Sequence, residues 1–174
     1  MTTETIVRLR PIAISDSENI VAWRNSESVR SNFIYQADFT VAGQHRWMAE
    51  QVATGRVAQF IIELGESQTP VGSTFIRDID REHRKGEFGI FIGETAARGR
   101  GVGTEAAKQM VDHGFSELGL NKIFLRVLAH NRGAVRSYEN AGFIREGVLR
   151  QDVILAGEPT DVILMAVLRE DWRK

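Results

Sequence analysis

Apolar and polar positions along this chain switch between two periods, and the switches predict the elements. Residues 5–10 read as a first strand, ended by Pro11. Ser15 or Asp16 suits the cap of a helix running to about Asn25, with a short second helix near Ser28. Thr40 suits the cap of a helix over residues 41–54, whose candidate buried positions are Trp47, Met48 and Val52. The β-rich runs 57–64 and 71–76 flank residues 65–70, a hairpin pattern. Residues 78–85 then read as a charged turn, and 87–92 as a returning strand. Ala107, Met110, Val111, Phe115 and Leu118 recur at helical spacing within residues 104–118. A strand over 122–129, a short helix from Asn131 ending at Gly142, and a strand pair over 148–155 and 161–168 complete the order. Strict βαβ alternation is missing, which predicts mixed α and β around one sheet. With neither repeat nor linker, residues 1–174 are expected to form one domain.

One junction carries chemistry. Arg98-Gly99-Arg100-Gly101-Val102-Gly103 lies between the apolar run 88–92 and the periodic helix. A helix start offers unpaired first-turn N–H groups and the positive end of the helix dipole. Gly101 and Gly103 have no Cβ, so an anion can approach the backbone, and Arg98 and Arg100 add two cations. That combination suits a pyrophosphate. A P-loop needs Lys-Ser/Thr after its last glycine, where this chain has Thr104-Glu105. A dinucleotide fingerprint belongs after the first strand of a βαβ unit, and here roughly half the chain precedes it.

The spacing Arg98-x-x-Gly101-x-Gly103 resembles the coenzyme A pyrophosphate loop of the GNAT N-acetyltransferases. A second pattern follows one strand later: Asn131, Ala134, Tyr138, Gly142 and Phe143 stand as Asn-x-x-Ala-x-x-x-Tyr-x-x-x-Gly-Phe. It is similar to the second half of the same family's cofactor site. The resemblance implies an α+β fold, a mixed, mostly antiparallel sheet splayed between its fourth and fifth strands and flanked by helices. It implies acetyl-CoA as cofactor, with pantetheine along the backbone of Ile90, Phe91 and Ile92. The pyrophosphate then falls at Arg98, Gly99, Arg100, Gly101, Val102, Gly103 and Thr104, and Asn131 meets the cofactor arm.

The resemblance also implies two catalytic residues. Tyr138 stands near the thioester sulfur, as a general acid or as a hydrogen-bond donor to the leaving thiolate; as a plain core aromatic it would do neither. Glu87 is the candidate general base, if burial raises its pKa; otherwise it is a strand carboxylate paired with Arg84 or Lys85. The first-helix region is expected to meet the acceptor, through Trp23, Arg24, Asn25, Arg30, Phe33 and Tyr35, with Trp47 nearby. Trp23-Arg24-Asn25 resembles the nucleotide-linked amino-sugar acetyltransferases and the branch that acetylates ribosomal-protein N-termini. The alternative for these residues is helix packing and solvated arginines.

Bulk properties narrow the picture further. With 22 basic and 23 acidic residues the net charge is −1, which gives no general reason to bind nucleic acid or an anionic membrane. There is no membrane-length apolar run and no signal-peptide pattern at Met1–Thr5, so a cytoplasmic protein is expected. The absence of cysteine excludes disulfides, thiolate metal sites and a cysteine nucleophile. His45, His83, His113 and His130 show no metal-ligand spacing, and no metal is expected. Direct acetyl transfer to a primary amine follows. The first-choice acceptor is a small molecule such as a nucleotide-linked amino sugar, then a protein N-terminus, then a polyamine, whose pocket would want clustered carboxylates. A non-catalytic acyl-CoA-binding domain is the alternative of another class. A homodimer is compatible with the apolar run 161–168 serving as core or as interface.

Overall fold

The computed structural model describes residues 6–172. Its strands are β1 (Val7–Pro11), β2 (Ala58–Leu64), β3 (Thr69–Asp80), β4 (Lys85–Ile92), β5 (Lys122–Leu128), β6 (Ile144–Leu155) and β7 (Glu158–Leu168). Its helices are α1 (Ser17–Asn25), α2 (Glu27–Arg30), α3 (Val41–Trp47), α4 (Val102–Ser116), α5 (Arg132–Asn140) and α6 (Arg169–Trp172). The strands form one sheet in the order β1-β2-β3-β4-β5-β7-β6. All neighbours are antiparallel except β4 and β5. The α+β architecture is therefore as expected. The expected start of the first strand at Thr5 lies outside the described residues, as does the Met1–Thr5 segment.

The parallel β4–β5 ladder is short. It pairs Lys85 with Lys122, Gly86 with Ile123 and Glu87 with Phe124, and then stops, although β4 runs on to Ile92 and β5 to Leu128. On their other sides both strands stay paired, β4 with β3 up to Ile92 and β5 with β7 up to Leu128. The sheet thus opens into a V between its fourth and fifth strands. Alternation puts successive β4 side chains on opposite faces. Phe88 joins Met110, Val111 and Phe115 of α4 in the main core, while Phe91 joins Ile20 and Trp23 of α1 in a cluster on the other face.

Several boundaries differ from the sequence reading. β3 continues through the expected charged turn to Asp80, because a bulge between Arg77 and Asp80, with Asp78 at φ 50°, lets the ladder resume at Asp80–Lys85. Asp16 does not cap α1 with its side chain; it ends a 3-10 turn (Ile14–Asp16) and accepts two hydrogen bonds from Arg10. The 41–54 helix splits into α3 and a π-helical turn (Met48–Val52), with Thr40 capping it through Gly43 N–H. Gln44 is its buried residue, and Trp47, Met48 and Val52 are only half-buried, because this helix rims a cleft rather than the core.

β7 lies between β5 and β6, so Val162, Ile163, Met165, Ala166 and Val167 are core of this chain rather than an interface. Three of the exposed large apolar side chains, Ile144, Val148 and Ile154, stand on β6. No helix among the described residues is long and apolar enough to cross a membrane.

Candidate active site

A cleft of about 1270 Å³ occupies the V between β4 and β5 and continues between the sheet and the 20–47 region. Gly93 N–H donates to Val71 C=O at 2.8 Å, which places the main-chain groups of the odd-numbered β4 residues on the β3 side. The N–H and C=O of Phe88 and Ile90 therefore face the gap that β5 has left. Of the three β4 residues expected along pantetheine, Ile90 offers its backbone. Phe91 turns its backbone to β3 and its ring toward Trp23 and Phe33, at 6.3 and 6.0 Å. The Ile92 carbonyl faces the gap but accepts from Arg98 Nε and Nη2 at 3.0 and 2.8 Å.

The glycine-rich turn forms a backbone cradle. Gly99 and Gly101 have φ of 70° and 78°, and left-handed Gly101 caps α4 without any side-chain help. Among the described residues, the N–H groups of Gly99 through Thr104 donate to no protein acceptor. A Cβ at Gly99 or Gly101 would meet no protein atom within 4 Å, so the concavity is open. Six consecutive unpaired donors at a helix N-terminus fit a pyrophosphate. The side chains depart from expectation. Arg98 is tied to Ile92 C=O and to Ser28 Oγ at 3.1 Å, so it fixes the turn's shape rather than reaching out as a free cation. Thr104 Oγ1 lies 2.9 Å from Ser137 Oγ and joins α4 to α5. Arg100 is exposed and outside the cleft lining.

Two further expected residues line the cleft. Asn131 caps α5, its Oδ1 accepting from Ala134 N–H at 3.3 Å. Tyr138 packs edge-on against Phe88 at 5.9 Å and Phe143 at 6.0 Å, and its hydroxyl has no protein partner among the described residues. Burial pushes the phenol above its ordinary pKa, so it stays protonated at neutral pH.

Glu87 is where the structure and the sequence reading part most clearly. It projects from the opposite face of β4 to Phe88 and Tyr138, and it is 5% exposed. Its partners are neither Arg84 nor Lys85. Arg126 Nε donates to Oε1 at 2.9 Å, and Arg77 Nε donates to Oε2 at 3.0 Å. Burial alone would raise this carboxyl. The Arg126 hydrogen bond, the charge and hydrogen bond of Arg77 and the charge of Arg126 together outweigh it and hold Glu87 below the usual glutamate range. The pKa elevation a general base would want is not there.

The acceptor wall is more divided than expected. Arg24, Phe33 and Tyr35 line the cleft. Trp23 does not: it is 7% exposed, donates from Nε1 to Glu94 at 2.8 Å and lies so close over Gly93 that no Cβ fits there. Asn25 also stays out of the lining; its side chain clamps the Phe39 backbone, donating to the C=O and accepting from the N–H, both at 2.8 Å. Arg30 bonds Asn25 Oδ1 at 3.3 Å and Asp38 Oδ1 at 2.6 Å. Asn25 and Arg30 thus shape the 33–39 segment from behind.

Sequence reasoning missed Arg77 and Arg126, whose one signal was a charge inside otherwise apolar strands, and Gln44, Phe39 and Gln59, which carry none. Gln59 holds Trp47 Nε1 at 3.0 Å and Ser73 Oγ at 3.2 Å, which fixes the floor beneath the acceptor wall. The histidines gather nowhere: His45, His83 and His130 are exposed, and His113 packs against the Phe60 ring at 4.9 Å. Among the described residues no group of three ligating side chains could hold a metal.

Comparison with known proteins agrees with this geometry. The family profile described as an acetyltransferase (GNAT) domain matches residues 7–144. A probable N-acetyltransferase, YjcK of Bacillus subtilis, is 28% identical over 172 residues, 95% of each chain. The spermidine N(1)-acetyltransferase of Escherichia coli K12 is 26% identical over 166 residues, 95% of this chain and 88% of that protein. A crystal structure of Vibrio cholerae spermidine N-acetyltransferase with CoA and spermine superposes with a TM-score of 0.90. It covers 97% of this chain and 98% of that one at 24% identity, a likeness of fold. The splayed sheet, the backbone cradle and the sequence match converge: this chain belongs to the GNAT family and is an acetyl-CoA-dependent N-acetyltransferase.

Proposed function

We propose that the protein moves an acetyl group directly from acetyl-CoA to the primary amine of a small-molecule acceptor bound against the 24–47 wall. The observation that carries this reading is the pairing of two features on one cleft: the unpaired N–H run of Gly99–Thr104 and the free β4 edge at Ile90. Acetyl-CoA supplies the activated thioester. Gly99, Gly101, Val102, Gly103 and Thr104 hold the pyrophosphate through backbone N–H groups, Arg98 fixes that backbone, and Asn131 meets the cofactor arm. Ile90 N–H points where a thioester carbonyl gains from a hydrogen bond. Arg100 keeps only a long-range electrostatic part.

In the transfer the amine nitrogen bonds to the carbonyl carbon, the C–S bond breaks, and the thiolate leaves. A free thiol has a pKa of about 8.5, and the Tyr138 phenol lies above its ordinary value of about 10, so full proton transfer to the thiolate is uphill. Tyr138 therefore donates a hydrogen bond to the sulfur. Glu87, ionised between two guanidiniums, positions Arg77 and Arg126 across the V. Two protons leave the nitrogen: the ammonium loses one to water before the attack, and the acylated nitrogen loses the second to water as the thiolate departs. Arginines lining the acceptor side, Arg24, Arg77 and Arg126, lower the pKa of a bound ammonium and favour the neutral nucleophile.

For the acceptor's identity, the relatives' names support a polyamine over a nucleotide-linked amino sugar. A peptide N-terminus, the acceptor of the ribosomal-protein branch, has behind it the Trp23-Arg24-Asn25 pattern and a partial match to a putative ribosomal N-acetyltransferase of Bacillus subtilis, 27% identical over 101 residues. The deciding experiment is acetyl-CoA-dependent thiol release over polyamines, amino sugars, amino acids and N-terminal peptides. The chain has no cysteine to add background. Release with one acceptor class establishes the activity and its substrate; acetyl-CoA binding without release on any amine overturns it.

A further inference from the structure

The acceptor side of the cleft holds an arginine that the transfer reaction leaves unexplained. Arg24 is 7% exposed, and among the described residues no carboxylate is paired with it. Its guanidinium is stacked 3.6 Å from the Phe33 ring centroid and 4.5 Å from that of Phe39. Nη2 makes one long bond, 3.3 Å, to Tyr35 C=O, and Nη1 is buried without a partner. Burial, then the charges of Arg77 and Arg30, lower its pKa to about 10, so it remains a cation at neutral pH. A buried guanidinium with Nη1 unsatisfied is destabilising by itself, and an anion in the cleft would complete it. Gln44 Nε2, on the same cleft, is a second buried donor with no acceptor.

The rest of the wall has the same polarity. The cleft lining holds Arg24, Arg77, Arg98, Arg126 and Arg136 but only two carboxylates, Asp38 and Glu87. Asp38 is paired with Arg30 at 2.6 Å, and both Glu87 oxygens are taken by Arg77 and Arg126. Arginines thus outnumber carboxylates in this lining, and Asp38, bonded through Oδ1, is the one carboxylate that stays largely exposed. A polycation finds no carboxylate there that is not already bonded to an arginine.

We infer that the acceptor carries an anionic oxygen group, a carboxylate or a phosphate, which docks on Arg24 with Gln44 as a second donor and so presents the amine to the thioester. This rests on the acetyl-transfer reading and narrows its substrate class. Planar bidentate pairing suits Arg24 to either anion, and the nearby Phe33 and Phe39 rings restrict the guanidinium's movement.

The test uses matched acceptors: an amino acid against its amide, an amino-sugar phosphate against the free amino sugar, and spermidine. We expect kcat/KM to favour the anionic member of a pair by about tenfold or more, the scale of one charge-assisted hydrogen bond. The carboxylate and phosphate pairs tell the two sources apart. Arg24→Met, which keeps an unbranched apolar stem, is expected to bring that ratio to about one, and Arg24→Lys to restore part of it. A merely structural Arg24 would lower both members together and leave the ratio intact. Calorimetric binding of each acceptor to the CoA-loaded protein gives the same comparison without turnover. Spermidine outperforming every anion-bearing amine, or an unchanged ratio in Arg24→Met, overturns the inference while leaving acetyl transfer standing. Thiol release from no acceptor, with acetyl-CoA bound, overturns the transfer reading as well.

Discussion

Arg126 Nε reaches Glu87 Oε1 at 2.9 Å from two residues beyond Phe124, the last β5 residue paired with β4. The ion pair therefore bridges the V just where its ladder ends, and with Arg77 it makes Glu87 a tie between β3, β4 and β5. The carboxylate is largely engaged in holding the opening, which bears on what it can do in the chemistry.

Because Glu87 is held ionised well below neutral pH, it is not the group whose titration turns the reaction on. In Glu87→Gln the ascending limb of kcat/KM against pH is expected to keep its midpoint, set by the acceptor's ammonium, while the plateau falls about tenfold as Arg77 and Arg126 lose their shared anchor. A limb that disappears in the variant would restore Glu87 as the base.

The same depression fixes a stability signature. Glu87 is lower in the folded state than its ordinary value of 4.5, so its contribution is fully present above that pH and is lost as pH falls through the folded value. Wild-type Tm is expected to drop more steeply than that of Glu87→Gln between pH 5 and about pH 3. At pH 7 the variant should be less stable by about 1–3 kcal/mol, since the two arginines are partly exposed and can rehydrate. Parallel Tm curves would contradict the assignment.

Tyr138→Phe removes a hydroxyl with no protein partner among the described residues, so Tm should shift by no more than about one or two degrees. Acetyl-CoA affinity should hold within about twofold. Turnover should fall about ten- to a hundredfold, the loss of one hydrogen bond to a developing thiolate. Undiminished turnover would reduce Tyr138 to a packing residue.

At Gly101 a Cβ would meet no protein atom, yet φ is 78°. Gly101→Ala is expected to cost about 1 kcal/mol in stability and to weaken acetyl-CoA binding about tenfold, because the methyl enters the space lined by free N–H groups. Equal Kd values for variant and wild type would move the pyrophosphate elsewhere.

Asn25→Ala releases the clamp on Phe39 without touching the cofactor side. The expected outcome is a several-fold rise in acceptor KM with the acetyl-CoA Kd unchanged. A matching loss in acetyl-CoA affinity would show that the two halves of the cleft are not separately held.

The parts that local spacing could report were legible in the sequence. Gly101 needs φ above zero at a helix start, and Asn131 caps the helix that carries Tyr138. Both requirements act within a few residues, so they leave a pattern. Contacts closed by the sheet leave none. Arg77 and Arg126 meet Glu87 across separations of 10 and 39 residues, and nothing near Glu87 announces them. Trp23 looked like a binding aromatic because its partner Glu94 is 71 residues away. The charged residues 78–80 looked like a turn because a bulge, which alternation cannot foresee, carries β3 through them.

The Asn25 clamp has one more consequence. The segment from Asn32 to Thr40 contains no helix or strand, and it contributes Phe33, Tyr35, Asp38 and Phe39 to the cleft beside Arg24 and Gln44. The donor cradle at Gly99–Thr104 and the strand edge at Ile90 are built by other segments, joined to this region through Arg98 and Ser28. Substitutions in a stretch of nine residues can therefore rewrite which amine is recognised without disturbing how the acetyl group is delivered. A change of diet then asks for the editing of one short loop, with the machinery that delivers the acetyl group left as it stands.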